Sequence, residues 1–197
     1  MFIGRLSGSW ARTSVTDGLA YPRGVSTAPE QVAVRPARPD DVAAIAGVFA
    51  HYVTSSVVTF EETPPTAADW GHKLAGLREL ALPFAVAAAG DEVVGYAYAS
   101  PWRPKPAYRH TVEDSVYLAP GWTGRGLGRL LLTTLLTQSA AAGARQMIAV
   151  IADSGEAASA ALHRSCGFAD AGRLVAVGFK HGRWVDTLLM QRELTRA

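Results

Sequence analysis

The segment YLAPGWTGRGLGRLLLTTLL, residues 117–136, constrains this chain more than any other. An alternating strand pattern, TVEDSVYL, runs into it; glycines stand at 121, 124, 126 and 128; a leucine-rich helical pattern leaves it. A strand that turns through glycines straight into an apolar-faced helix requires a sheet for that helix to pack back upon. Glycines also leave backbone N–H groups bare at the helix N-terminus, an arrangement that suits an anion. Two nucleotide-binding spacings fail. In G-x-G-x-x-G the sixth residue counted from Gly124 is Arg129, and from Gly126 it is Leu131; no Gly-Lys-Ser/Thr follows for a nucleoside-triphosphate loop. What remains is G-x-G-x-G with Arg125 and Arg129 at its rim. By itself such a turn serves chain geometry as often as it serves a ligand.

The flanking elements alternate. QVAVR, from residue 31, reads as a short strand ended by Pro36 and Pro39. A helix follows with Pro39, Asp40 and Asp41 at its start and Val42, Ile45, Val48, Phe49 and Tyr52 at helical spacing. A second helix is capped by Thr66, carries Asp69 in its first turn, and buries Trp70, Leu74, Leu77 and Leu80. PFAVAAAGDEVVGYAYAS reads as a hairpin turning at GDE. After the glycine turn, the spacing predicts a helix over 127–142 closed by Gly143, an apolar strand RQMIAVI, a helix over 155–166, and a final pair of strands. The expected fold is therefore α/β, a mixed twisted sheet with helices on both faces.

Of 197 residues, 49% are apolar, enough for one well-cored domain. The Gly-, Ser-, Thr- and Pro-rich residues 1–30 read as a loose tail, so the domain is expected over 31–197. Nineteen basic against seventeen acidic residues, with no basic run, argue against nucleic acid as a partner. The longest uncharged run, 130–144, is shorter than the ~20 residues of a membrane span. The N-terminus lacks the layout of a secretion signal, and Cys166 stands alone without a disulfide partner, so a cytoplasmic, reducing location is expected. No His/Cys/Asp/Glu cluster has metal-ligand spacing.

Two motifs carry a resemblance. TGRGLG (123–128) is similar to the Q/R-x-x-G-x-G/A pyrophosphate turn of the GNAT acetyltransferases, with Thr123 in place of Gln or Arg. HRSCGF (163–168) has the spacing of that superfamily's Y-x-x-x-G-F, with His163 in the tyrosine's place. HYVTSSVVTFEE, YASPWRPKPAYRHTVEDSVYL and VGFKHGRW further resemble one branch, the phosphinothricin and methionine sulfoximine N-acetyltransferases, and the likeness runs from Val32 to Leu194. It implies acetyl transfer from acetyl-CoA, without a metal, to the α-amine of a small amino acid analogue. The same chemistry on another small amine or a peptide N-terminus, and a non-catalytic acyl-CoA sensor, are the alternatives.

Such chemistry needs a group to take the amine's proton, donors for the oxyanion, and a proton or positive field for the thiolate. Read from the strand pattern alone, Glu113 is an ordinary surface carboxylate; the resemblance makes it the general base. Asp114, on the opposite face of the strand, is expected to be structural or exposed. The resemblance gives His163 a catalytic part, as base or as proton donor to the thiolate. It lays Ser115, Val116 and Tyr117 along the pantetheine arm, with the Val116 N–H toward the oxyanion, and the diphosphate on Thr123, Gly124, Arg125, Gly126, Leu127 and Gly128. Glu156 falls where the family usually offers an Asn to the pantetheine. Acceptor recognition is expected from Phe60, Trp102, Arg103, Lys105, Tyr108 and Thr111, with Phe179 and the rest of the FKHGRW tip closing the site. A homodimer is expected, as is usual in this branch.

Overall fold

The computed structural model describes residues 32–155 and 157–195. Seven strands form one sheet: β1 (Val32–Pro36), β2 (Phe84–Ala89), β3 (Glu92–Pro101), β4 (Thr111–Leu118), β5 (Gln146–Ala152), β6 (Ala169–Lys180) and β7 (Arg183–Glu193). Four helices cover it: α1 (Val42–Ser55), α2 (Ala67–Glu79), α3 (Leu127–Ala141) and α4 (Ala158–Ser165). The strand order is β1-β2-β3-β4-β5-β7-β6, antiparallel except where β4 and β5 run parallel through the α3 crossover. The mixed α/β sheet expected above is the one found.

The two faces differ because the strands alternate two kinds of residue. Ala85, Ala87, Ala97 and Ala99 form a shallow floor on one face, so α3 lies close and buries Leu127, Leu131, Leu132 and Leu135. The opposite face presents Phe84, Val86, Tyr96 and Tyr98 to Phe49 of α1 and Trp70 of α2. There the Phe49 ring meets Trp70 edge-on at 5.4 Å and Tyr117 at 5.0 Å, the favoured quadrupole geometry. Between β2 and β3 the register steps from Ala87↔Gly95 to Ala88↔Val93; Val94 is the extra residue of a bulge.

The helix starts follow their local chemistry. Thr66 Oγ1 accepts from the Asp69 amide at 3.2 Å, closing a capping box. Asp41 instead turns back, accepting from the Arg38 amide and from the Arg35 guanidinium, whose hydrogen bonds hold its carboxyl below the usual range. Leu80, expected on the apolar face of α2, is exposed because the helix ends at Glu79 and Ala81 takes φ 54°.

Candidate active site

β4 and β5 pair over three positions only, Thr111↔Gln146, Val112↔Met147 and Glu113↔Ile148. Past Glu113 the two strands part, and a cavity of about 540 Å³ occupies the split. The direction of the β4 amides follows from alternation. The Thr111 carbonyl accepts from Trp102 N, and Ala119 N donates to the Val94 carbonyl, so odd-numbered β4 residues bond toward β3. Even-numbered residues therefore face the β5 side, and the Val116 N–H points into the split where no β5 residue pairs with it. Tyr52 of α1 donates its phenol to the Leu118 carbonyl at 2.6 Å, satisfying the last of that row.

At one end of the split lies the glycine turn. Gly124 and Gly126 take φ of 73° and 79°, where a Cβ would strain the backbone. Gly126 is also the N-cap of α3 and supplies no side-chain cap, and the first turn of α3 carries no acidic residue. Its amides are thus left without the usual capping oxygen, with Arg129 beside them on the cavity wall. Arg125 leans over the Trp122 ring at 4.5 Å. Leu127, expected among the cofactor residues, has its side chain in the core, so only its backbone is available to a ligand. Gly128 lines the cavity and also lets α4 approach: a Cβ there would meet Leu162 at 3.2 Å.

Glu113 lies half-buried on the wall. Burial, then the neighbouring Asp114 carboxylate, push its carboxyl up from the ordinary value, while the Arg103 and Lys73 charges pull it back. A carboxylate held up in this way is a stronger proton acceptor than an exposed one. Lys73 was not foreseen; it projects from α2 and donates to the Tyr98 phenol at 3.0 Å.

His163 lines the cavity with both ring nitrogens engaged. It is buried, with Nδ1 at 2.7 Å from the Ser159 carbonyl and Nε2 at 3.0 Å from Asp114 Oδ2. A carbonyl only accepts, so Nδ1 carries a proton, and the bond between Nε2 and the carboxylate needs another. Burial acts to lower the imidazole pKa, but the Asp114 hydrogen bond and charge, with the Ser159 carbonyl, outweigh it and hold the pKa above its usual value. Both nitrogens are thus engaged, and neither offers a free lone pair to an amine. Its partner Asp114, expected to be structural or exposed, is buried.

Ten of the expected residues line the cavity: Phe60, Glu113, Ser115, Val116, Tyr117, Thr123, Gly124, Gly126, Gly128 and His163. The connection between β3 and β4, and Thr111 at the start of β4, do not. Trp102, Arg103, Lys105, Tyr108 and Thr111 lie outside its walls, the Arg103 guanidinium stacking on Trp102 at 4.9 Å and reaching the site through its field on Glu113. Phe179 is exposed beside Trp184, because alternation turns it to the face of β6 opposite Gly178, against which Phe60 lies. Glu156 lies outside the described residues, as does the tail. Tyr52, Thr59 and Thr187 line the cavity without having been anticipated, since only tertiary contact brings them there. Among the described residues no group of three or more His, Cys, Asp or Glu could hold a metal, and no helix is long and apolar enough to cross a membrane.

Known proteins resemble this chain in sequence and in fold. The model of the acetyltransferase (GNAT) family matches residues 45–168. Phosphinothricin N-acetyltransferase of Alcaligenes faecalis is 47% identical over 171 residues, 87% of each chain. L-methionine sulfoximine/L-methionine sulfone acetyltransferase of Pseudomonas paraeruginosa is 38% identical over 82% of this chain and 94% of its own. Among solved structures, a phosphinothricin acetyltransferase from Sinorhizobium meliloti in complex with acetyl-CoA superposes with a TM-score of 0.79 at 43% identity, over 83% of this chain and 88% of that one.

Proposed function

We propose that this chain, which belongs to the GNAT acetyltransferase family and is an N-acetyltransferase, acetylates the α-amine of phosphinothricin, methionine sulfoximine or methionine sulfone. Acetyl-CoA is the donor. The observation that carries the reading is the split that opens directly after Glu113, with a free amide on one wall and an uncapped helix N-terminus at its end. The α3 amides and Arg129 hold the diphosphate, and β4 runs beside the pantetheine arm. Glu113 takes one proton from the ammonium, directly or through a water. The free amine attacks the thioester carbonyl while the Val116 N–H stabilises the oxyanion. As the C–S bond breaks, the nitrogen's second proton goes to the thiolate, so amide and thiol form with protons balanced and no separate acid is required.

Such a reaction would detoxify inhibitors of glutamine synthetase, and the lone buried Cys166 suits a reducing cytoplasm. Release of coenzyme A over a panel of amino acids tests the acceptor. Turnover should concentrate on the three named compounds; equal rates on unrelated amines or on peptide N-termini would reassign the substrate class.

A homodimer is part of the reading. Leu174, Val175, Val177, Phe179 and Trp184 form an exposed apolar band on the β6–β7 hairpin, at the sheet's edge. A second copy is the partner that would cover it. Wild type should sediment as a dimer and Val175→Asp as a monomer; a monomeric wild type would refute the pairing.

A further inference from the structure

The segment 56–62, between α1 and α2, forms one wall of the cavity through Val58, Thr59 and Phe60, yet it has no helix or strand of its own. Two contacts from β6 hold it. Lys180, 3% exposed, donates from Nζ to the Thr59 carbonyl at 2.8 Å. Two residues earlier on the same face, Gly178 leaves open the space into which the Phe60 ring fits; a methyl group built there would overlap the ring. The φ of Gly178 is not in the left-handed region, so its glycine serves close approach rather than backbone freedom. Burying an ammonium against one neutral carbonyl is unfavourable, and desolvation draws the Lys180 pKa below its ordinary value despite the opposing fields of Glu62 and Glu61. A methionine would fill much of that volume without the desolvation, but it would leave the Thr59 carbonyl without a donor.

The wall and its supports are 121 residues apart in sequence at the Thr59–Lys180 contact, so β6 reaches the site only through tertiary folding. Tyr117 of β4 lines the same cavity as Thr59. Thr59 is thus held to the tip of β6, and Phe60 beside it faces the cavity that Glu113 of β4 also lines.

Resting on the acceptor reading given above, we propose that Lys180 and Gly178 are positioning residues that dock the 56–62 wall and set where Phe60 meets the acceptor side chain. Neither touches the reacting atoms. Their effect should fall on acceptor binding and selectivity and spare the acetyl-CoA half of the site.

Lys180→Met and Gly178→Ala test this by two independent routes, one removing the donor and one displacing the ring. Hydrogen exchange over 56–62, read without any substrate, should quicken in both variants while exchange in α3 stays at the wild-type rate. With acceptor, KM should rise about tenfold, equivalent to roughly 1.4 kcal/mol, and KM for acetyl-CoA should stay within about twofold. Phe60→Ala should reproduce the altered preference among the three acceptors. Unchanged exchange at 56–62, or loosened exchange with an unaltered acceptor KM, overturns the proposal. So does an equal loss for both substrates accompanied by a lower Tm, the mark of a merely structural role. A wild-type enzyme inactive on all three acceptors would refute the substrate class proposed above, whereas quickened exchange in the variants would still support the docking of the wall.

Discussion

Glu113→Gln should lower kcat by roughly 10²- to 10⁴-fold while coenzyme A binding, measured by calorimetry, is retained. The glutamine keeps the volume of the side chain and removes the proton acceptor. The pH profile gives the sharper reading. Glu113 must be ionised to take the amine's proton, so turnover rises with pH through its pKa. Burial and the Asp114 carboxylate set that pKa above the ordinary carboxylate value. The acid limb of the wild-type profile should accordingly lie above the usual glutamate range and vanish in the glutamine variant.

Stability moves the other way. A carboxyl whose pKa is raised by folding favours the folded state most when protonated, and that contribution is lost as pH rises through the folded value. Glu113→Gln should therefore melt no lower than wild type at pH 7, and gain nothing below the ordinary carboxylate pKa. An undiminished kcat with the acid limb intact would place the base elsewhere.

His163→Ala should destabilise the fold by about 3–5 kcal/mol, because it strands the Asp114 carboxylate in the interior. For a domain of this size that is a fall in Tm of roughly 6–20 °C. Both partners are almost wholly enclosed, at 4% and 7% exposure, and Asp114 Oδ1 has no hydrogen-bond partner to compensate. Asp114→Asn combined with His163→Gln removes both charges together and should recover most of the lost stability. The recovered double variant should also turn over within about tenfold of wild type, since nothing in the mechanism above draws a proton from His163. A stable double variant without turnover would restore a catalytic role to the imidazole. The pair is pH-dependent in a defined direction. Folding raises the His163 pKa, so the stabilisation is complete below the imidazole's unfolded pKa and fades as pH rises through the folded one.

The position of this pair explains its effect. Asp114 is the first β4 residue beyond the point where β4 and β5 part, and His163 belongs to α4, the helix that follows β5. Their hydrogen bond ties β4 to α4 at the base of the split. The apolar and polar alternation of TVEDSVYL already showed Glu113 and Asp114 on opposite faces of one strand. It could not show that a histidine 49 residues away waits behind the second carboxylate.

Several features required no knowledge of the fold. The Thr66 cap, the hairpin turn after Ala89 and the uncapped glycine entry to α3 follow from side chains within a few residues of one another. The connection between β3 and β4 is less legible. Its Arg103, Lys105 and aromatic residues have the composition of a carboxylate site, but composition does not report where a loop lies, and this one stays outside the cavity. One wall comes from 56–62, a segment without periodicity of its own, which only the resemblance carried by HYVTSSVVTFEE marked out.

Residue order alone thus determined the elements, their amphipathic faces and the stereochemistry of the anion turn, because period, capping and φ preference act over one or two turns of chain. Folding decided which elements meet. β7 pairs with β5 and carries β6 beyond it, an order that alternation within a strand does not encode. That exchange delivers Gly178 and Lys180 to Phe60 and Thr59, while the early parting of β4 from β5 turns an ordinary parallel pair into a cleft with a carboxylate at its mouth.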